Sequence, residues 1–167
     1  VAEVILCDLD AVNLKEKAER FGVSEVCPSL DQLCRTDVDA IALLTQHHLH
    51  GPQAVQALQN SKHVYSAVPP AISLPEITEL IRTVEQTGKI YMLGETSYYY
   101  PCVAYCRKRF ESGDFGHIVY AEAEYYHDYS HGLYEVAKWR HGTDWKKYYG
   151  TPPMFYPTHS VSMVVSV

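Results

Sequence analysis

The chain has 167 residues, of which 47% are hydrophobic, and this is enough apolar material to bury the core of one or two domains. Its formal net charge is −6 and it contains no basic block, which argues against binding of nucleic acid through a phosphate-tracking surface. No apolar run reaches the length of a membrane span, and no signal peptide pattern opens the chain.

The first ninety-odd residues alternate strand and helix patterns. Apolar runs predict strands at 4–7, 38–45, 63–66 and 89–95. Helices are predicted after caps at Asn13, Ser29 and Ser73, and also from His50 to Asn60, with Gly22 and Gly88 as two of the ends. Strands and helices alternating at this spacing indicate right-handed βαβ units around a parallel sheet. The continuous run at 38–45 is typical of a strand that is buried on both faces.

The second part has a different pattern. A helix is predicted from Pro101 through Phe110, after which residues 117–129 alternate strictly between two faces. Such alternation favours a half-buried strand in an open antiparallel sheet. Residues 131–153 are interpreted as a loop excursion, and a helix is expected after His159. We therefore predict two partial domains, residues 1–97 and 98–167.

The two ends and the cysteines give further expectations. The chain opens directly on a strand and stops within an apolar pattern, so we expect it to be a piece of something longer. Its five cysteines are odd in number and scattered, which favours free thiols in a reducing compartment and hence a cytoplasmic location.

In parallel α/β sheets, ligands bind outside the carboxyl ends of the strands. The segments at these positions are CDLD, TQHHLH, SAVPP and GETSYY. Asp8 stands where the acidic residue of a dinucleotide site would bind ribose hydroxyls, although a simple turn aspartate explains it equally well. The sequence has no G-x-G-x-x-G turn. The histidines at 47, 48 and 50 do not have a spacing that fixes tetrahedral geometry, so no metal site is predicted.

Several of these segments resemble the Gfo/Idh/MocA oxidoreductases. The matching motifs are T-x-x-H-x-H at Thr45, His48 and His50, and GDFGHIV at 113–119. The resemblance implies an α/β fold: a Rossmann-type parallel sheet, truncated at its N-terminus, followed by the start of an α+β domain with a large open sheet. It also implies a nicotinamide cofactor and a small carbohydrate substrate, with the Gly-rich turn preceding Val1.

Two family signatures are altered in this chain. The usual Glu-Lys-Pro is replaced by Ala67, Val68 and Pro69, so a valine that cannot exchange a proton stands at the lysine position. The usual Asp four residues before a His is replaced by Phe155, although His159 is present.

One branch of the family also carries Val-Pro at the first of these positions. It comprises NAD-dependent glycosidases that act on N-acetylgalactosaminides. The shared features are VPPA at 68–71, Glu95, EAEYYHD at 122–128 and YPTH at 156–159. The resemblance implies that Tyr125, Tyr156 and His159 line the substrate site as catalytic residues. It implies a cofactor-binding role for Asp8, Thr45, His48, His50, Val68, Pro69 and Glu95.

Three functions stay open at this point. The first is an NAD(P)-dependent oxidoreductase acting on a carbohydrate or polyol, with NAD expected because Asp8 would repel a ribose 2′-phosphate. The second is a redox glycosidase with tightly bound NAD, which oxidises C3 of a sugar, eliminates the group at C1 and returns the hydride. The third is a non-catalytic sugar-binding or scaffold protein. The resemblance also implies homo-oligomerisation through the C-terminal sheet.

Overall fold

The computed structural model describes residues 3–128, 130, 132–148 and 157–167. The strands are β1 (Ile5–Cys7), β2 (Glu25–Cys27), β3 (Ala40–Leu43), β4 (His63–Ser66) and β5 (Tyr91–Leu93). The helices are α1 (Ala11–Phe21), α2 (Leu30–Cys34), α3 (His50–Gln59), α4 (Leu74–Thr87), α5 (Pro101–Glu111), α6 (Leu133–His141), α7 (Trp145–Tyr148) and α8 (Thr158–Val165). Short 3₁₀ turns cover His47–Leu49, Ser97–Tyr99 and Gly142–Asp144. No described helix is long and apolar enough to cross a membrane.

All described strand pairs are parallel, which confirms the predicted α/β fold. β1 pairs with β2, and a second sheet has the order β3-β4-β5. The register of this second sheet aligns Leu43 with Ser66 and Ser66 with Leu93, so its three strands end side by side. β2 was missed by the sequence analysis because it has three residues, of which only Cys27 is buried.

The core lies between the β3-β4-β5 sheet and the helices α3 and α4. Its fully buried members are Ala54, Ala57 and Leu58 of α3, which pack against Ile41, Leu43, Val64 and Leu80. Ala40 and Ala42 alternate with these core residues and are exposed. The prediction that this run is buried on both faces was therefore wrong, because the helices α3 and α4 cover a single face.

Polar side chains begin the helices, and one predicted cap was wrong. Ser29 and Ser73 cap α2 and α4 as expected. Helix α1 is capped by Asp10, whose carboxylate accepts hydrogen bonds from the N–H groups of residues 12 and 13. Asn13 lies in the first turn of that helix instead, and its amide donates to Asp8.

Two predictions for the second part were also wrong. Residues 117–128 form no strand, and Val119 is 98% exposed. A strand needs a hydrogen-bonded neighbour, and none of the described segments pairs with this one. Residues 133–148 form helices α6 and α7 where a loop was expected, because good helix formers such as Leu, Glu, Ala, Lys and Arg outweigh the glycines around them.

Helices α3 and α4 meet closely at the residues that precede α4. A methyl group added at Gly51 would lie 3.0 Å from Cβ of Ala71 and 3.1 Å from Oε2 of Glu76. These distances are shorter than ordinary van der Waals contact, so only glycine fits at position 51 without displacing a neighbour.

We expect Gly51→Ala to lower the free energy of unfolding by about 1–2 kcal/mol through overpacking, despite the better helix propensity of alanine. Urea denaturation would measure this loss. Ala71→Gly added to the same variant removes the atom that the new methyl group meets, and it should restore part of the lost stability. A Gly51→Ala protein as stable as the parent would contradict the close packing.

Candidate functional site

The candidate site lies at the edge where the parallel strands β3, β4 and β5 end. The turn His47–Leu49 follows β3, the loop with Val68 and Pro69 follows β4, and Glu95 follows β5. Since the three strands run in one direction and end in register, these connections lie along one edge. This is the edge at which open α/β sheets bind ligands.

A buried ionisable pair lies beyond the end of β5. Glu95 is 8% exposed, and His159, in the first turn of α8, is 6% exposed. The Nδ1 atom of His159 is 2.7 Å from Oε1 of Glu95. The same oxygen accepts a 2.7 Å hydrogen bond from the backbone N–H of Ser97, whose hydroxyl lies 3.3 Å from Nδ1.

The surroundings keep the Glu95 carboxyl ionised. Burial alone would raise the pKa of Glu95, but hydrogen bonds from His159 and from the Ser97 N–H outweigh that cost. The positive charge of a protonated His159 and the Thr158 hydroxyl act in the same direction, so the pKa lies below its ordinary value. At neutral pH the buried pair therefore contains a carboxylate that can only accept hydrogen bonds.

An aromatic side chain covers the histidine of this pair. The ring centroids of Tyr125 and His159 are 4.3 Å apart with an interplanar angle of 43°. The Tyr125 ring also meets His127 edge-on, with the centroids 5.0 Å apart and an interplanar angle of 88°. The structure thus brings together three predicted site residues, Glu95, Tyr125 and His159. The fourth residue of this group, Tyr156, lies outside the described residues.

His50 connects two of the loops at the sheet edge. The residue is 1% exposed, with Nδ1 2.8 Å from the carbonyl oxygen of Pro69 and Nε2 3.0 Å from that of Thr45. Both ring nitrogens are therefore used on backbone groups that follow β3 and β4. This geometry suits a residue that fixes the two loops to each other, and the predicted cofactor-binding role of His50 stays a prediction.

The remaining predicted residues of this edge differ in burial, hydrogen bonding and charge. Val68 and Pro69 are buried and joined by a cis peptide bond, and neither has a titratable group. The exposed Thr45 donates its hydroxyl to Gln53 at 2.6 Å. Burial lowers the pKa of His48 more than the Asp144 carboxylate raises it, so this ring is neutral at pH 7. Among the described residues, no three His, Cys, Asp or Glu side chains are placed to hold a metal.

Asp8 is fixed at the end of β1 by its own turn. Its Oδ1 accepts from the N–H of Asp10 at 2.9 Å, and its Oδ2 accepts from the Asn13 amide at 2.8 Å. Asp8 therefore acts as a turn aspartate. Each carboxylate oxygen has more than one lone pair, so both oxygens can still accept hydrogen bonds from further donors. Asn13 was not recognised from the sequence as a partner, although its position five residues after Asp8, in the first turn of a helix, is a usable signal.

The family model for Gfo/Idh/MocA, described as an oxidoreductase family with an NAD-binding Rossmann fold, matches residues 3–95. The chain belongs to this family, as its motifs suggested. A glycosyl hydrolase family 109 protein 2 of Bacteroides fragilis is 31% identical over 140 residues, which cover 80% of this chain and 32% of that protein. A glycosyl hydrolase family 109 protein of Shewanella baltica is 29% identical over 137 residues, which cover 80% and 29%. The chain thus spans less than a third of the length of these relatives.

Solved structures share the fold at lower identity. The scyllo-inositol dehydrogenase of Lactobacillus casei, with bound NAD(H) and scyllo-inositol, matches with a TM-score of 0.63 and 22% identity, over 67% of this chain and 34% of that one. The WlbA dehydrogenase of Bordetella pertussis, in complex with NADH and UDP-GlcNAcA, matches with a TM-score of 0.65 and 24% identity, over 69% and 34%.

The link made by His50 predicts a stability effect without any ligand. His50→Ala should lower the free energy of unfolding by about 2–4 kcal/mol, because a hydrogen bond between the buried ring and a backbone carbonyl is lost and a cavity forms. Chemical denaturation of the ligand-free protein would measure it. His117→Ala, at an exposed histidine, serves as the control and should change stability by less than about 0.5 kcal/mol. Equal stability of the His50→Ala protein and the parent would show that the ring does not link the loops.

Proposed function

We propose that this chain is part of an NAD-dependent enzyme that oxidises a carbohydrate or a related polyol. The observation that carries the proposal is the buried Glu95–His159 pair, covered by Tyr125, at the ligand-binding edge of a sheet of this family. A neutral histidine can take the proton of a sugar hydroxyl, which must leave when the carbon bearing it loses a hydride. In this assignment His159 carries out the proton transfer of the lysine that is usual in the family. Val68 stands at the position of that lysine and cannot exchange a proton.

The residues along the sheet edge fit a dinucleotide. Hydrogen bonds from the Asn13 amide and the Asp10 N–H fix the orientation of the Asp8 carboxylate. Its remaining lone pairs could accept hydrogen bonds from the two hydroxyls of an adenosine ribose. Thr45, His48 and the apolar Val68–Pro69 loop would hold the nicotinamide end, with His50 fixing the loops around it. When bound, the nicotinamide accepts a hydride and can return it.

A redox glycosidase is the second candidate, and the shared motifs favour it. The segments VPPA, EAEYYHD and YPTH coincide in this chain, and relatives of about 30% identity are named glycosyl hydrolase family 109 proteins. In this reaction a ketone formed at C3 acidifies the C2–H bond, and a base removes that proton as the group at C1 leaves. Tyr125 would be the base at C2, and His159 would serve the C3 hydroxyl. No pair of catalytic carboxylates is needed.

We also propose a cytoplasmic, homo-oligomeric protein with domains at 1–97 and 98–167. All five cysteines are free thiols, which supports a reducing compartment. The alternating segment 117–128 is exposed along almost its whole length, which supports its pairing with further strands in a sheet shared between subunits.

Asp8 should select NAD over NADP in the full-length protein. Its carboxylate repels a ribose 2′-phosphate and accepts hydrogen bonds from a 2′-hydroxyl. Calorimetry should therefore show a higher affinity for NAD in the parent and a loss of this preference in Asp8→Ala. Asp10→Asn is the matched control, because it removes a nearby charge and keeps a side chain able to cap α1. A parent protein that prefers NADP would count against the assignment.

His159 and Tyr125 should carry the proton transfers. His159→Ala and Tyr125→Phe should each lower kcat by about 100-fold or more, the usual effect of losing a positioned acid or base. Tyr126→Phe, the same change at a neighbouring tyrosine that is 82% exposed, should leave turnover unchanged. The assays would use a panel of free sugars, polyols and aryl glycosides.

The same panel separates the two reactions. Release of the aglycone, with deuterium from D₂O entering at C2 and no net NADH, indicates the glycosidase, and Tyr125→Phe should then suppress the exchange. Build-up of NADH from a free sugar without exchange at C2 indicates the dehydrogenase. Full turnover in both His159→Ala and Tyr125→Phe would overturn the residue assignments.

A further inference from the structure

We propose that Glu95 is a positioning residue that fixes the tautomer of His159, so that Nε2 is the atom that accepts the substrate proton. This inference rests on the proposed function, in which His159 is the base. It assigns to Glu95 a role that differs from the cofactor contact suggested by the sequence.

The hydrogen bonds of Glu95 determine where the ring proton lies. A carboxylate only accepts, and Oε1 of Glu95 is 2.7 Å from Nδ1 of His159, so Nδ1 must carry the hydrogen. A neutral imidazole has a single N–H group. The lone pair of the neutral ring is therefore on Nε2, and a substrate hydroxyl must approach that nitrogen.

The carboxylate is itself held in place. The N–H of Ser97 donates to the same oxygen, Oε1, at 2.7 Å, and both Glu95 and Ser97 are buried. Ser97 begins a 3₁₀ turn that packs against α8, the helix that carries His159. The Glu95 carboxylate is thus bound to the turn after β5, and the helix that carries the His159 ring packs against that turn. This arrangement limits relative movement of the two groups.

Tyr125 restricts the remaining freedom of the ring. The centroid of its aromatic ring lies 4.3 Å from that of the imidazole at an angle of 43°, and the same ring meets His127 edge-on. A 180° flip of the His159 ring would put the carbon Cδ2 in the place of Nδ1 and break the bond to Glu95. Ring orientations between these two would disturb the contact with Tyr125. The packing and the hydrogen bond therefore favour the same orientation.

The negative charge of Glu95 also acts on the product of proton transfer. As the O–H bond of the substrate breaks, its proton forms a new bond to Nε2, and the electron pair left on the oxygen forms the C=O bond as the carbon loses its hydride. A bound nicotinamide would be the hydride acceptor. The imidazolium that results has one N–H on each nitrogen, and the Nδ1–H group faces the carboxylate. A charge-assisted hydrogen bond of this kind is stronger than a neutral one, so the cation is stabilised where it forms.

The state of the ring can be measured without any substrate. The ¹⁵N NMR spectrum of the histidine-labelled, ligand-free, full-length protein is recorded as the pH is raised until one nitrogen of the His159 ring has lost its proton, and that nitrogen should be Nε2 while Nδ1 stays protonated. An unprotonated Nδ1 in the parent protein would overturn the proposal. This measurement is independent of turnover, so failure of the proposed reaction would leave its result intact.

Two variants separate charge from position. In Glu95→Gln the Ser97 N–H should hold the amide oxygen at the position of Oε1, so the tautomer should persist while the charge is lost. We expect kcat to fall about 10- to 100-fold, with KM changed less than about threefold, because the charge acts on the transition state. In Glu95→Ala the Nδ1–H loses its acceptor, and the ¹⁵N spectrum should show a mixture of tautomers.

Glu79→Gln is the control, because it neutralises an exposed glutamate on α4 whose partner is Arg82. Its spectrum and kinetics should match the parent. Glu95→Ala with an unchanged tautomer, or Glu95→Gln with an unchanged kcat, would overturn the proposal. A changed tautomer in a protein that turns over neither sugars nor glycosides would support the positioning role and reject the proposed function.

Discussion

The hydrogen bond between Glu95 and His159 is the interaction on which the candidate site depends. It joins residues 64 positions apart, one after the last strand of the sheet and one at the start of the last described helix. An ionised carboxylate in a buried position is unfavourable unless its charge is compensated by hydrogen bonds. Here Ser97 and His159 both provide hydrogen bonds to Oε1, and the bond from His159 forms only when α8 lies against the turn after β5.

A second buried histidine organises the other end of the same edge. His50 links the connections after β3 and β4 through two carbonyl groups, and the glycine next to it lets α3 approach the start of α4. The loop that carries Val68 and Pro69 is therefore held from both sides. The edge thus combines an apolar centre with the buried Glu95–His159 pair beside it, which suits a nicotinamide ring and a sugar hydroxyl brought together in one orientation.

Much of the first part could be predicted from the sequence because local signals and tertiary structure agree there. Ser29 and Ser73 cap their helices, and the apolar run at 63–66 coincides with β4. The motifs also pointed to Glu95 as a cofactor-binding residue and to Tyr125 and His159 as catalytic residues. Their mutual arrangement could not be predicted, because a contact over 64 residues depends on how α8 packs.

The predictions that were wrong depended on neighbouring residues that a local sequence pattern does not show. The alternation at 117–128 describes a strand correctly only when a neighbour supplies hydrogen bonds. Asn13 has the side chain of a cap, but Asp10 provides the cap one turn earlier. The motif predicted a cofactor-binding role for His50, which stays a prediction; the burial of its ring with both nitrogens at backbone carbonyls is visible only in three dimensions.

The central claim is that hydride and proton leave the substrate at this edge of the sheet, beside His159. A crystal structure of the full-length protein with NAD and a turned-over sugar or polyol tests it most directly. The account predicts nicotinamide C4 within about 3–3.5 Å of the reacting carbon. It also predicts Nε2 of His159 about 2.6–3.2 Å from the oxygen on that carbon. A substrate held with its reacting carbon away from His159, or a nicotinamide bound at another edge of the sheet, would contradict it.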